Sequence, residues 1–179
     1  MSSGELVPQL LKALAVAKPQ REGWLLEELY DLLAPMDESA KVERSEFHDV
    51  LLVLSERLQP SEICRAAQRM EFSFMSRLVP AMRVVKAAGR AELLSALQAL
   101  VPSGKRLGLM VSLRGRGKEL VRVGELAEYL KARQNSLSRQ SREVVVVESV
   151  GDLFVLSYGI TLRCGLGCTL VVPLEPYTF

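Results

Sequence analysis

The sequence predicts an α+β chain built as a βαββαβ unit followed by a second α/β unit. Three observations carry this. Short apolar runs suited to buried strands alternate with segments whose apolar residues recur every three or four positions. Glycine and proline fall at the transitions between them. Near the C-terminus, Glu143-Val-Val-Val-Val-Glu-Ser149 and Leu153-Phe-Val-Leu-Ser-Tyr158 flank Gly151-Asp152, which reads as a hairpin.

Leu10–Lys18 is apolar throughout and stops at Pro19, and is read as a buried strand. From Arg21 to Leu33, Trp24, Leu25, Leu29, Tyr30, Leu32 and Leu33 share one helical face, so Trp24 is expected in the core with the leucines. Lys41–Phe47 and Asp49–Ser55 read as a hairpin, the second arm apolar enough for a central strand. Ser61 is the expected N-cap of a short helix over Glu62–Met70, with Arg65 and Arg69 outward. Phe72–Val85 returns as a strand interrupted at Pro80, which completes βαββαβ, the ferredoxin-like split unit.

After Gly89, leucines at 93, 94, 97 and 100 mark a helix over Ala91–Leu100. Arg106–Arg114 reads as a strand, Val121–Arg133 as a helix and Gln134–Arg142 as a polar linker. Thr169–Val172 is a last strand, with Pro173 and Pro176 discouraging a central position for the tail. A boundary is expected between residues 86 and 87, giving an N-terminal ferredoxin-like domain (1–86) and a second domain with a C-terminal tail (87–179).

The chain has 179 residues, 49% hydrophobic and 25% charged, the balance of a folded protein. No apolar run suits a membrane span and the N-terminus lacks a leader pattern, so a cytoplasmic setting is expected. Net charge is only +2, but it is unevenly placed. Residues 1–56 hold 5 Lys+Arg against 11 Asp+Glu, residues 57–142 hold 17 against 6, and residues 143–179 hold 1 against 4. A block of +11 within a near-neutral chain is what a surface that meets phosphates needs, the plain alternative being a solvated face.

The most suggestive segment is Leu113-Arg-Gly-Arg-Gly-Lys118, where glycines let backbone amides approach a phosphate and three cations neutralise it. It matches neither a Walker nor a Rossmann loop, and a hinge with solvated cations is the alternative. Arg139 and Arg142 add cations among serine hydroxyls, and Lys105 and Arg106 extend the same patch if the sheet brings them round. No catalytic constellation, metal site or cofactor is expected. His48, the single histidine, has no nucleophile near it in sequence. Three cysteines leave at least one free thiol, and Cys164-Gly-Leu-Gly-Cys168 is read as a Gly-rich turn rather than a zinc or redox site.

Arg106–Tyr158 resembles a THUMP domain: a strand ending in Arg-Gly, a short loop, a Val-Gly-Glu-Leu-Ala helix, a linker and a Val-Val-Val-Val-Glu strand. The preceding unit is similar to the N-terminal ferredoxin-like domain that accompanies THUMP. Phe47-His-Asp-Val-Leu-Leu-Val-Leu, Arg77-Leu-Val-Pro80 and the helix after Gly89 resemble stand-alone THUMP proteins that assist tRNA cytidine acetylation. The Pro-Asp pair common before the Val-rich strand is absent here. The resemblance implies a non-catalytic tRNA-binding protein that presents the acceptor end to a modifying enzyme such as a tRNA acetyltransferase. It carries over to Arg114, Gly115, Arg116 and Lys118; Lys105, Arg106, Arg139 and Arg142 are added from charge, with Arg65, Arg69 and Arg77 as helpers. The alternative is a scaffold that binds protein through its apolar tail, Leu170–Phe179, without touching RNA.

Overall fold

The computed structural model describes residues 7–174. They form two compact units: residues up to Ala81 together with Thr161–Pro173, and Met82–Ile160 together with Leu174. The chain therefore returns to its first unit near its end, where a single cut between residues 86 and 87 is expected from the sequence.

The first unit opens with a helical turn, α1 (Val7–Leu10), and the buried strand β1 (Leu11–Ala17). Helix α2 (Glu22–Leu33) turns Leu25, Leu29, Leu32 and Leu33 inward. Strands β2 (Lys41–Arg44) and β3 (Val50–Leu54) form the expected hairpin. Helix α3 (Pro60–Ala67) begins earlier than expected, capped by Gln59 rather than Ser61. Pro60 occupies the first helical position, where its fixed φ fits and its missing N–H costs nothing. Glu62 then reaches back to accept the Gln59 N–H at 2.8 Å. Strand β4 (Met75–Pro80) ends at its proline.

These strands lie in the order β2-β3-β1-β4, each antiparallel to its neighbour, the βαββαβ arrangement read from the sequence. The core under the sheet joins Leu25, Leu29, Leu51, Ile63, Phe72 and Leu78.

The second unit begins with β5 (Arg83–Lys86) and helix α4 (Arg90–Leu100), which buries Leu93, Leu97 and Leu100. Strand β6 (Arg106–Ser112) leads through a turn, α5 (Gly117–Leu120), into α6 (Val123–Ala132), so the expected helix starts two residues later. Within the polar linker lies a two-residue strand, β7 (Ser136–Leu137), held parallel to β6. Strands β8 (Glu143–Val150) and β9 (Leu153–Arg163) form the hairpin, with Gly151 at φ +59° in its two-residue loop.

In this unit the order is β7-β6-β8-β9-β5. Strand β6 is parallel to β8, a pairing that requires a long crossover, and α5 and α6 supply it. The core gathers Leu93, Leu97, Leu126, Leu130, Val145, Val147 and Phe154.

Strand β10 (Thr169–Pro173) pairs in parallel with β4 at Thr169 and Leu170, ahead of its proline. Leu170 and Val171 are fully buried, which corrects the expectation that the tail from Leu170 is a free docking surface. Residues 175–179, with Pro176 and the rest of that tail, lie outside the described residues.

Candidate nucleic-acid interface

Because β6 and β8 run parallel, their first residues share one edge of the second unit's sheet. That edge collects Lys105 and Arg106 before and at the start of β6, and Arg139 and Arg142 in the turn that leads into β8, all exposed. The turn is built. Ser141 donates its N–H to the Ser138 carbonyl at 3.2 Å, and its hydroxyl lies 3.0 Å from the carbonyl oxygens of both Arg106 and Glu143. Arg106 Nη2 donates to Ser138 Oγ at 3.1 Å. Gly108 permits this approach, since a Cβ there would lie 2.9 Å from Val144 Cγ1.

Lys105 Nζ stands 3.9 Å from Glu143 Oε1, and the same carboxylate accepts the Tyr158 hydroxyl. Burial first, and the bond to Glu143 second, raise the pKa of that hydroxyl. Lys105, Arg106, Arg139 and Arg142 thus gather on one edge, together with Glu143 and the hydroxyls of Ser138 and Ser141.

The Arg114–Lys118 segment lies elsewhere. It follows the far end of β6, whose span from Arg106 to Ser112 is roughly 20 Å at about 3.3 Å per residue. The sheet therefore does not bring Lys105 and Arg106 round to the glycine-rich loop, and the single patch expected from the sequence is two.

Arg114 is spent on structure: its Nη1 lies 2.6 Å from Glu148 Oε2, with the carboxylate side chain 1% exposed and the guanidinium side chain 14%. Its backbone N–H donates to Ser149 Oγ at 2.6 Å, and that hydroxyl donates back to the Arg114 carbonyl at 2.7 Å. Gly115 takes φ +56°, and Gly117 is buried so closely that a Cβ would lie 2.3 Å from Ser149 Oγ. These glycines fold the loop onto its own strands. Arg116 and Lys118 are exposed beside Glu119, a net of one positive charge.

Of the helper cations, Arg65 and Arg69 are exposed on and just after α3, and Arg77 is half-buried on β4, all in the first unit. His48 is exposed in the β2–β3 turn. Trp24 is not core: it is 53% exposed and stacks on Phe74 with ring centroids 5.7 Å apart. Cys164 and Cys168 do form a turn, but it is closed by a disulfide, with Cα atoms 5.0 Å apart. Gly165 at φ +139° and Gly167 at φ +68° provide the reversal that brings them together. Cys64 is the free, buried thiol.

A groove of about 690 Å³ between α4 and α6 is lined by Leu94, Tyr129, Ala132 and the Arg90–Glu125 pair, whose charged atoms are 2.6 Å apart. The Arg122 backbone N–H, and then Arg90, hold the Glu125 carboxyl below its ordinary pKa. Among the described residues, no three His, Cys, Asp or Glu side chains converge as a metal site would require, and no helix is long and apolar enough to cross a membrane.

No protein-family model matches the chain, and no curated protein matches it in sequence. Solved structures do match. PH1313 from Pyrococcus horikoshii Ot3 superposes with a TM-score of 0.58 at 13% identity, over 93% of this chain and 58% of its own. TrmN from Thermus thermophilus superposes with a TM-score of 0.56 at 15% identity, over 83% of this chain and 45% of its own. The chain thus spans about half the length of these proteins. The likeness is one of fold, and it agrees with the α+β class read from the sequence.

Proposed function

We propose that the chain is a non-catalytic tRNA-binding protein that holds the acceptor end of tRNA for a separate modifying enzyme, with cytidine acetylation as the reaction served. In this account the unit of residues up to Ala81 with Thr161–Pro173 acts as the ferredoxin-like part and Met82–Ile160 as the THUMP part. The observation that carries the proposal is the edge at the starts of β6 and β8, where exposed Lys105, Arg106, Arg139 and Arg142 gather beside the hydroxyls of Ser138 and Ser141. Cations with adjacent hydroxyls suit phosphate and ribose oxygens, the contacts that position a protein on RNA without reading bases. An A-form stem hides its base edges in a deep, narrow groove, so recognition is by shape and backbone.

Arg116 and Lys118 contribute long-range attraction and little contact, and Arg114 serves the fold. The test is a competition binding assay with the full chain. A folded tRNA should compete well, a tRNA shortened by its acceptor stem poorly, and a single-stranded oligonucleotide of equal length poorly. Equal competition by all three would refute binding of a folded acceptor end.

A further inference from the structure

The outer face of α2 has no part in the RNA account, and its construction calls for a role. Gly23, Trp24, Glu27, Tyr30 and Asp31 lie on the exposed side of the helix, opposite the buried leucines, with Trp24 53% and Tyr30 44% exposed. The aromatic ring at 24 is fixed rather than loose. It stacks on Phe74, and the segment bearing Phe74 is held from three directions.

Glu28 of α2 accepts the N–H groups of Ser73 and Phe74 at 2.7 and 3.1 Å. Lys18, just past β1, donates Nζ to the Ser73 carbonyl at 2.7 Å. Phe72 donates its N–H to the Cys164 carbonyl, in the disulfide-closed turn, at 2.8 Å. The tip of that turn, Leu166, is itself 89% exposed. A solvent-facing Trp ring immobilised on a partly buried Phe loses little entropy on binding, which is why Trp and Tyr anchor protein interfaces.

Charge selects the occupant. Helix α2 carries Glu22, Glu27, Glu28 and Asp31, and the stretch from residue 22 to residue 40 contains no Lys or Arg. Glu22 is paired with Arg44 at 3.0 Å and Glu28 is engaged with the Phe74 segment, which leaves Glu27 and Asp31 exposed beside the rings. With exposed Arg21 standing just before the helix, it is the Glu27 and Asp31 part of the face that attracts cations. We infer that the exposed face of α2, centred on Trp24 and Phe74, docks a basic segment of a partner protein, an apolar side chain lying on the Trp24 ring and Lys or Arg side chains reaching Glu27 and Asp31. This site is in the first unit and does not depend on the RNA account.

Trp24 is the chain's single tryptophan and so reports on its own surroundings. The full chain is titrated with a synthetic amphipathic peptide of Lys and Leu, with the same peptide carrying Glu for Lys, and with an oligouridine. Emission and acrylamide quenching are followed. The basic peptide should shield Trp24, less so as salt rises, and Glu27→Lys/Asp31→Lys should weaken it at least tenfold. Charge reversal at Glu128→Lys in the second unit should change affinity less than twofold. Trp24→Ala, with its fold checked by circular dichroism and binding read from a labelled peptide, should also lose at least tenfold.

Glu27→Lys/Asp31→Lys should leave tRNA binding intact, whereas loss of tRNA binding in variants of Arg106, Arg139 and Arg142 should leave peptide binding intact. Equal weakening by Glu128→Lys, shielding of Trp24 by oligouridine instead of the peptide, or self-association through Trp24 in sedimentation would overturn the inference.

Discussion

Replacing Arg114 with Ala should unfold the protein more readily rather than impair an RNA contact. The guanidinium and the Glu148 carboxylate are 2.6 Å apart, with side chains 14% and 1% exposed, so removal takes a cation from a buried carboxylate. A pair of unit charges about 4 Å apart at an effective dielectric of about 20 attracts by about 4 kcal/mol. Breaking a buried pair from one side costs about 3–5 kcal/mol for the same reason. For a chain of this size each kcal/mol moves Tm by about 2–4 °C, so Arg114→Ala should melt roughly 6–20 °C lower by far-ultraviolet circular dichroism. Glu148→Gln in the Arg114→Ala background should restore part of the loss, because a neutral amide is less costly to bury than a carboxylate that has lost its cation. Should Arg114→Ala melt within about 2 °C of the parent, the ion pair contributes little and the residue is available to RNA after all.

Gly117→Ala should destabilise by about 1–3 kcal/mol in urea unfolding, since overpacking is costly and its Cβ would lie 2.3 Å from Ser149 Oγ and 3.2 Å from Phe154 Cε1; an unchanged midpoint would show that the loop yields. Asp37 is buried, and the Ser39 hydroxyl, followed by that of Ser55, holds its carboxyl below the ordinary pKa. The stability it contributes is therefore present above its unfolded pKa of about 3.9 and lost as pH falls through the lower folded value. Asp37→Asn should accordingly melt below the parent at pH 7, with the gap narrowing as pH falls below about 3.9. Burial pushes the Cys64 thiol up to about 12, and Sγ lies 3.3 Å from the Val171 carbonyl oxygen. A thiol reagent should find no reactive cysteine in the native chain and one in non-reducing denaturant, and rapid native labelling would contradict its burial.

Much of the fold was legible because its signals are local. The apolar run of β1, the leucine spacing of α2 and α4, and the valines of β8 each name an element without reference to the rest of the chain. Trp24 was misplaced because periodicity identifies a helix more securely than it identifies the border of its buried stripe, and Trp24 sits next to Leu25 at that border. The two-residue β7 was too short to leave a pattern.

The candidate site was less legible, since it depends on which strand ends meet. Only the parallel pairing of β6 with β8 shows that Arg106 keeps company with Arg139 and Arg142, and that Arg114 stands at the far end. One signal did point to the fate of Arg114. Glu148 closes a run of four valines, and a carboxylate in a fully buried strand needs a cation or donors of its own. The disulfide, by contrast, rests on the glycine-driven reversal between Cys164 and Cys168, which a spacing of four alone does not establish.

The salt dependence of tRNA binding tests the central claim most directly. Log affinity is measured against log salt for the parent, for Arg106→Ala/Arg139→Ala/Arg142→Ala, and for Arg116→Ala/Lys118→Ala. Each lost phosphate contact removes about 0.7–0.9 from the slope, so the first variant should flatten it by about 2–3. The second should leave the slope nearly as it was. If the two variants flattened the slope alike, or if the parent bound tRNA without salt dependence, the edge formed by the starts of β6 and β8 would not be where this protein holds RNA.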